Sequence, residues 1–295
     1  MARIVLIGEA MLELSQRDGN WRLGHGGDTL NTAIHLARDG HEVAYLSALG
    51  MDPFSAGLRA AIEAEGVDTR LVLTHPTRTA GLYAILSDPL GERSFTYWRD
   101  ASAAREMFDL PGIEDALDVA RQADLIVFSL ISLAVLPPPA RLRLLDLAAK
   151  VRDAGGQVAF DGNYRARLWP DQEQARTMRD AAIACATIGL PTLEDETALS
   201  GERSAEDVYA HWSGLGCEEC VVKLGPDGCR LPNGDVIAPD AVLAPVDTSG
   251  AGDAFNAGYL GARLSGLGPM EAAGLGHAKA GWTIMRPGAI PALGS

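Results

Sequence analysis

APVDTSGAGDAF, residues 244–255, decides how this chain is read. Gly250, Ala251 and Gly252 have almost no side chains, so their N–H groups can turn inward together and meet an anion. The stretch that follows, DAFNAGYLGARL, reads as a buried helix whose positive end faces the same point. Asp253 stands in the first turn of that helix. Its carboxylate has two readings, as a helix cap or as a group that orients a substrate hydroxyl and takes its proton. The helix dipole should stabilise the ionised form and weaken it as a base. Phosphoryl transfer tolerates a weak base, because its loose transition state depends more on alignment and charge stabilisation. The stretch is neither a G-x-x-x-x-G-K-[ST] loop, since it lacks the lysine, nor a G-x-G-x-x-G fingerprint, since Phe255 stands at the third glycine.

The rest of the chain reads as a scaffold for that site. Apolar runs recur at 4–8 (IVLIG), 42–50 (EVAYLSALG), 124–130 (DLIVFSL), 157–163 (QVAFDGN) and 220–225 (CVVKLG), separated by helical patterns. In DTLNTAIHLARDG the apolar positions 30, 33, 34 and 37 share one helical face, and Gly40 supplies the stop. Pro137–Pro139 reads as a helix start. Continuous apolar strands alternating with helices predict an α/β, doubly wound, mostly parallel sheet covered on both faces. Two segments break the rhythm. Residues 13–27 carry a D-G turn signal, and 79–99 alternate and turn at Asp88–Gly91. They read as antiparallel hairpins forming a small β-lid, with lid segments at about 10–26 and 70–100 of a single domain spanning 1–295.

A length of 295 residues and 47% apolar composition allow a sizeable core. A net charge of −14 argues against nucleic-acid or anionic-membrane partners. No leader or bilayer-length apolar run is visible, which gives a cytoplasmic expectation. The four cysteines, 185, 217, 220 and 229, include one C-x-x-C. Without a second such pair or a His pair, free thiols are the plainer reading and a zinc site the rival.

DTSGAGDAF matches every specified position of the D-T-x-G-A-G-D signature of the ribokinase-like sugar kinases, the PfkB family, which the chain resembles over essentially its whole length. The resemblance implies an ATP-dependent carbohydrate kinase. In it the Gly250, Ala251 and Gly252 amides form an anion hole and Asp253 is the base. GHGGDTLNTA (24–33) resembles the family's paired-glycine substrate motif, contributing Gly27, Asp28 and Asn31. VVKLGPDG (221–228) resembles its nucleotide loop, with Lys223, Gly225 and Gly228, and Asn163 near the phosphates. His277 and Lys279 fall where the family packs adenine. In place of the N-x-x-E motif stands TLED, with Thr192 for Asn and Asp195 for Glu. This leaves Mg2+ held through water by Asp195, or by Glu194 or Glu196 if the alignment slips. A monovalent cation and a homo-oligomer formed through the lid also belong to the family pattern.

Two arginines bear on the substrate. Tyr97 and Arg99 point to one face of a strand, and Arg165 lies near the C-terminal end of another, where open α/β sheets bind ligands. They read either as solvated charges or as partners for a carboxylate. Together with GEAMLEL (8–14) and RPGAI (286–290), these segments resemble the branch of the family that phosphorylates 2-keto-3-deoxygluconate. That resemblance places Gly27, Asn31, Tyr83, Tyr97, Arg99 and Arg165 on the sugar acid. A fructokinase-like or 2-keto-3-deoxygalactonate-using kinase, or a non-catalytic sugar-acid binder, is the alternative.

Overall fold

The computed structural model describes residues 3–293 except 18 and 88–92. Asp18 of the first expected turn and the Asp88–Gly91 turn lie outside the described residues. The chain opens with β1 (Arg3–Ile7), then the hairpin arms β2 (Met11–Arg17) and β3 (Asn20–Gly26). Helix α1 (Asp28–Arg38) leads into β4 (Glu42–Leu49). Helix α2 (Pro53–Ala64) leads into β5 (Val72–Thr74). The second hairpin pairs β6 (Gly81–Ser87) with β7 (Arg93–Trp98). Then come α3 (Ile113–Arg121), β8 (Leu125–Ser129), α4 (Leu130–Val135) and α5 (Pro138–Asp153). They are followed by β9 (Gln157–Asp161), α6 (Gln172–Cys185), β10 (Ile188–Gly189), α7 (Leu193–Ser200) and α8 (Ala205–Gly214). Four short strands, β11 (Glu219–Cys220), β12 (Val222–Lys223), β13 (Cys229–Arg230) and β14 (Val236–Ile237), precede α9 (Ala251–Leu264) and α10 (Pro269–Ile284).

Seven strands form the main sheet in the order β11-β10-β9-β8-β1-β4-β5, and every described pair is parallel. Strands this apolar need cover on both faces. One face packs on apolar residues of α3, α5, α6 and α8, the other on those of α1, α2, α9 and α10. From β1 the order runs one way to β4 and the other way to β8. The crevice at the carboxyl ends of β1 and β8 is therefore the switch point where such sheets bind ligands.

The two hairpins join into a separate four-stranded sheet, β3-β2-β6-β7, with β2 and β6 parallel at its centre. This is the expected lid, with one correction: its second segment begins at Gly81. Val72–Thr74 instead pairs with β4 and extends the main sheet. The run at 220–225 also divides. Glu219–Cys220 joins the main sheet, whereas Val222–Lys223 opens a small antiparallel sheet with β13 and β14 that sequence periodicity does not foretell.

Helices α9 and α10 meet backbone to backbone. A Cβ on Gly258 would stand 2.7 Å from the Leu275 carbonyl oxygen, and one on Gly276 would stand 2.8 Å from the Phe255 ring. Among the described residues, no helix is long and apolar enough to cross a membrane.

Candidate active site

A cavity of about 670 Å3 opens at the switch point, between the lid and the first turn of α9. Asp253 faces it, as do Gly250, Ala251 and Gly252. Gly250 is the residue before the helix and holds φ 68°, in the left-handed region that a Cβ penalises. A side chain there would also meet Ala289 Cβ at 2.5 Å. The Ala251 N–H closes a turn onto the Thr248 carbonyl at 3.3 Å. The next amides of the first turn, Gly252 and Asp253, have no intrahelical acceptor, as in any helix, and the cradle rests chiefly on them.

Asp253 Oδ2 accepts a 2.7 Å hydrogen bond from Asn31 Nδ2, and Thr32 Oγ1 donates to the Asp253 carbonyl at 3.2 Å. Helix α1 thus fixes the carboxylate from across the site. Burial pushes this carboxyl up to about 8, and the neighbouring Asp28 adds to the rise, while the Asn31 amide pulls the other way. This reverses the sequence expectation of a weak base. Desolvation and a second carboxylate outweigh the helix dipole, and a group poised near 8 is well matched to accepting a proton at neutral pH.

Beside Asp253, a polar network lines the same cavity. Asp28 Oδ2 accepts from Ser129 Oγ at 2.5 Å and from Asn163 Nδ2 at 3.1 Å, and burial raises its pKa. Asp161, at the end of β9, accepts from Asn256 Nδ2 at 2.7 Å and pairs with Lys223 Nζ at 3.3 Å. Lys223 also donates to Asn256 Oδ1 at 3.0 Å. Its ammonium lies 3.7 Å from the position a Cβ on Gly252 would take, so a fixed positive charge adjoins the amide cradle. Sequence reasoning assigned roles to neither Asp161 nor Asn256. The available signal for Asn256 was its place three residues after Asp253, on the same face of α9.

The lid supplies the opposite wall. Arg99 is buried and ion-paired with Glu9, at the carboxyl end of β1. Arg99 Nε has no hydrogen-bond partner among the described residues, nor does Asn31 Oδ1. Tyr83 and Tyr97, register partners on β6 and β7, stack with ring centres 5.7 Å apart. Tyr83 donates to Glu13 Oε2 at 2.5 Å, and burial raises its pKa, so it remains a donor. Gly26 has no room for a Cβ, which would stand 2.4 Å from the Tyr83 hydroxyl. Gly27, at φ 139°, lines the cavity with its backbone pressed on the Glu9 carbonyl.

Arg165 lines the cavity but is half exposed and paired with Asp195 at 2.9 Å, so two residues expected in separate roles hold each other. Glu194 and Asp195 line the cavity, whereas Glu196 turns into the core and pairs with Arg179 at 2.5 Å. That orientation takes Glu196 out of the candidate metal set. Among the described residues, no group of three or more His, Cys, Asp or Glu is arranged to hold a metal ion. A divalent ion here would therefore have to take most of its ligands from phosphate oxygens and water, with Asp195 or Glu194 the cavity carboxylates available to it. Gly225 and Gly228 shape the tight turn between β12 and β13 and do not line the cavity. Lys279 pairs with Asp39, and His277 meets the Ile237 carbonyl at 3.0 Å. Cys217, Cys220 and Cys229 are buried as free thiols.

A family profile described as pfkB family carbohydrate kinase matches residues 1–294. The chain is 41% identical to the 2-dehydro-3-deoxygluconokinase of Dickeya dadantii over 97% of this chain and 96% of that one. It is 40% identical to the enzyme of the same name from Escherichia coli K12, over 98% and 96%. Among solved structures it is similar to the aminoimidazole riboside kinase of Salmonella enterica, complexed with aminoimidazole riboside and an ATP analog. That match has a TM-score of 0.84 at 27% identity and covers 98% of this chain and 95% of that one. This chain belongs to the pfkB family of carbohydrate kinases and is an ATP-dependent sugar kinase on that family's α/β fold.

Proposed function

We propose that this kinase phosphorylates 2-keto-3-deoxy-D-gluconate, the 2-dehydro-3-deoxygluconate of its relatives' names, at the terminal hydroxyl, giving 2-keto-3-deoxy-6-phosphogluconate. The observation that carries this reading is one cavity that joins Asp253 and the α9 amides to a lid bearing the buried Arg99. A neutral sugar needs no buried cation, whereas a carboxylate is well served by a guanidinium. The relatives' shared name supports the same substrate.

The sugar acid lies under the lid with its anionic end toward Arg99 and Arg165, and the Gly27–Asn31 segment holds its hydroxyls. Asp253 takes the proton of the terminal hydroxyl as its oxygen forms the bond to the γ-phosphorus and the bond from phosphorus to ADP breaks. The α9 amides and Lys223 flank the transferring charge. Gly225 and Gly228 act on the nucleotide by shaping the turn after Lys223, and Asn163 acts by holding Asp28. A divalent ion, Mg2+ in this reading, neutralises phosphate oxygens when bound. The exposed Trp21, Leu23 and Trp98 on the lid support a homo-oligomer formed through it.

ADP release across sugars and sugar acids tests the assignment. Turnover of the acid well above fructose is the expected result, and a preference for neutral hexoses overturns it. Arg99→Leu should raise KM for the acid by about 30-fold or more, as truncating a buried charge partner does.

A further inference from the structure

Three arginines line the cavity, and two are already engaged by carboxylates. Arg99 is paired with Glu9 and Arg165 with Asp195. An anion approaching either one also meets its acidic partner. The third, Arg167, makes no ion pair with a carboxylate among the described residues. Its contact is the ring of Tyr97, whose centre lies 3.6 Å from the guanidinium carbon. Stacking occupies the face of a guanidinium and leaves its edge N–H donors available. Arg167 belongs to the body of the molecule, in the short turn Ala166–Leu168 after β9, whereas Tyr97 belongs to the lid strand β7. The contact therefore bridges the mouth of the cavity. Seven carboxylates and four cationic side chains line that cavity, so an unengaged cation matters to an incoming anion.

We propose that Arg167 is a further specificity-determining residue. It adds an uncommitted positive charge to those of Arg99 and Arg165 at the carboxylate of the sugar acid, and its seat on Tyr97 ties that recognition to a closed lid. This rests on the sugar-acid reading above and adds a residue that the sequence motifs did not single out.

The test measures KM of the full chain for 2-keto-3-deoxygluconate and for its C1 carboxamide, in wild type, Arg167→Met, Arg167→Lys and Tyr97→Leu. For Arg167→Met the expected rise in KM is about 10- to 30-fold for the acid, a range reduced for solvent exposure, and within about twofold for the carboxamide. KM for ATP and the thermal midpoint should not move. Arg167→Lys should recover part of the acid preference, and Tyr97→Leu should weaken it several-fold. A wild type that prefers the acid, with an Arg167→Met variant keeping the same acid-to-carboxamide ratio, overturns this proposal alone. A wild type that turns over neutral sugars and ignores the acid overturns the substrate reading and this proposal with it.

Discussion

The two walls of the cavity are built by different means. The body wall around α9 relies on main chain and buried, hydrogen-bonded side chains: the first turn of α9, Asp253 held by Asn31, and the Asp161–Lys223–Asn256 network. The lid wall relies on stacked rings and long charged side chains carried by two hairpins, Tyr83, Tyr97 and Arg99 among them. Buried groups already fixed by hydrogen bonds lose little further freedom, which suits a chemical step. Long side chains on a separate sheet can release and regrip, which suits admitting one substrate and refusing another.

If that division holds, changes at Asp253 and the α9 amides should act on turnover, and changes at the rings and arginines that grip the acid, the body's Arg165 and Arg167 included, should act on KM. The largest effect should come from Asp253→Asn, which should lower kcat by about 10²–10⁴-fold while calorimetric binding of the sugar acid persists. Turnover near the wild-type rate would break the division outright. In the wild type, log kcat/KM should climb with pH and level off near 8, where Asp253 loses its proton, and the residual rate of the variant should lack that rise. Gly250→Ala should follow, at about 10²-fold in kcat, because the left-handed residue and its Ala289 contact set the pose of the amides.

Smaller effects sharpen the comparison. The folded-state pKa of Asp253 lies above its unfolded value, so the native state holds the extra proton between about 4 and 8. The stability this group contributes is complete below its unfolded pKa and is lost as pH rises through 8. Asp253→Asn should therefore unfold later than wild type at pH 8, by about 1–2 kcal/mol, and the gap should close toward pH 4. Denaturant titrations at the two pH values decide it. Tyr83→Phe should be mildest, with KM for the acid rising about fivefold through loss of one hydrogen bond and kcat nearly unchanged. A drop in kcat instead would mean that the lid also takes part in the chemical step.

The same contrast explains what could be read from the sequence. The body site is legible where its chemistry is contiguous. Gly250 to Asp253 are four neighbouring residues, and the helix they open follows at once. Continuous apolar runs between helical patterns likewise announce β1, β4, β8 and β9. Strands β5 and β10, of three and two residues, are too short to show a period. The pairs Arg99–Glu9 and Arg165–Asp195 join residues far apart in the chain, so a pattern search finds each arginine but not its partner. Asp161 stands in plain view within QVAFDGN. Its task appears only when Lys223 and Asn256 converge on it. The raised pKa of Asp253 is not legible in the sequence, because a local dipole can be read there, whereas depth and the approach of Asp28 cannot.

The glycine seam between α9 and α10 extends the reach of the body wall. A methyl group added at Gly258 would press on the backbone of Leu275 and Gly276, and one at Gly276 on the ring and carbonyl of Phe255, so the close approach of the two helices must give. One of the two, α9, carries Asp253 in its first turn. Substitutions on the far side of the C-terminal helix pair, remote from either substrate, would then register as lost turnover with sugar affinity preserved, and a screen for inactive variants would return them beside those of the reacting groups.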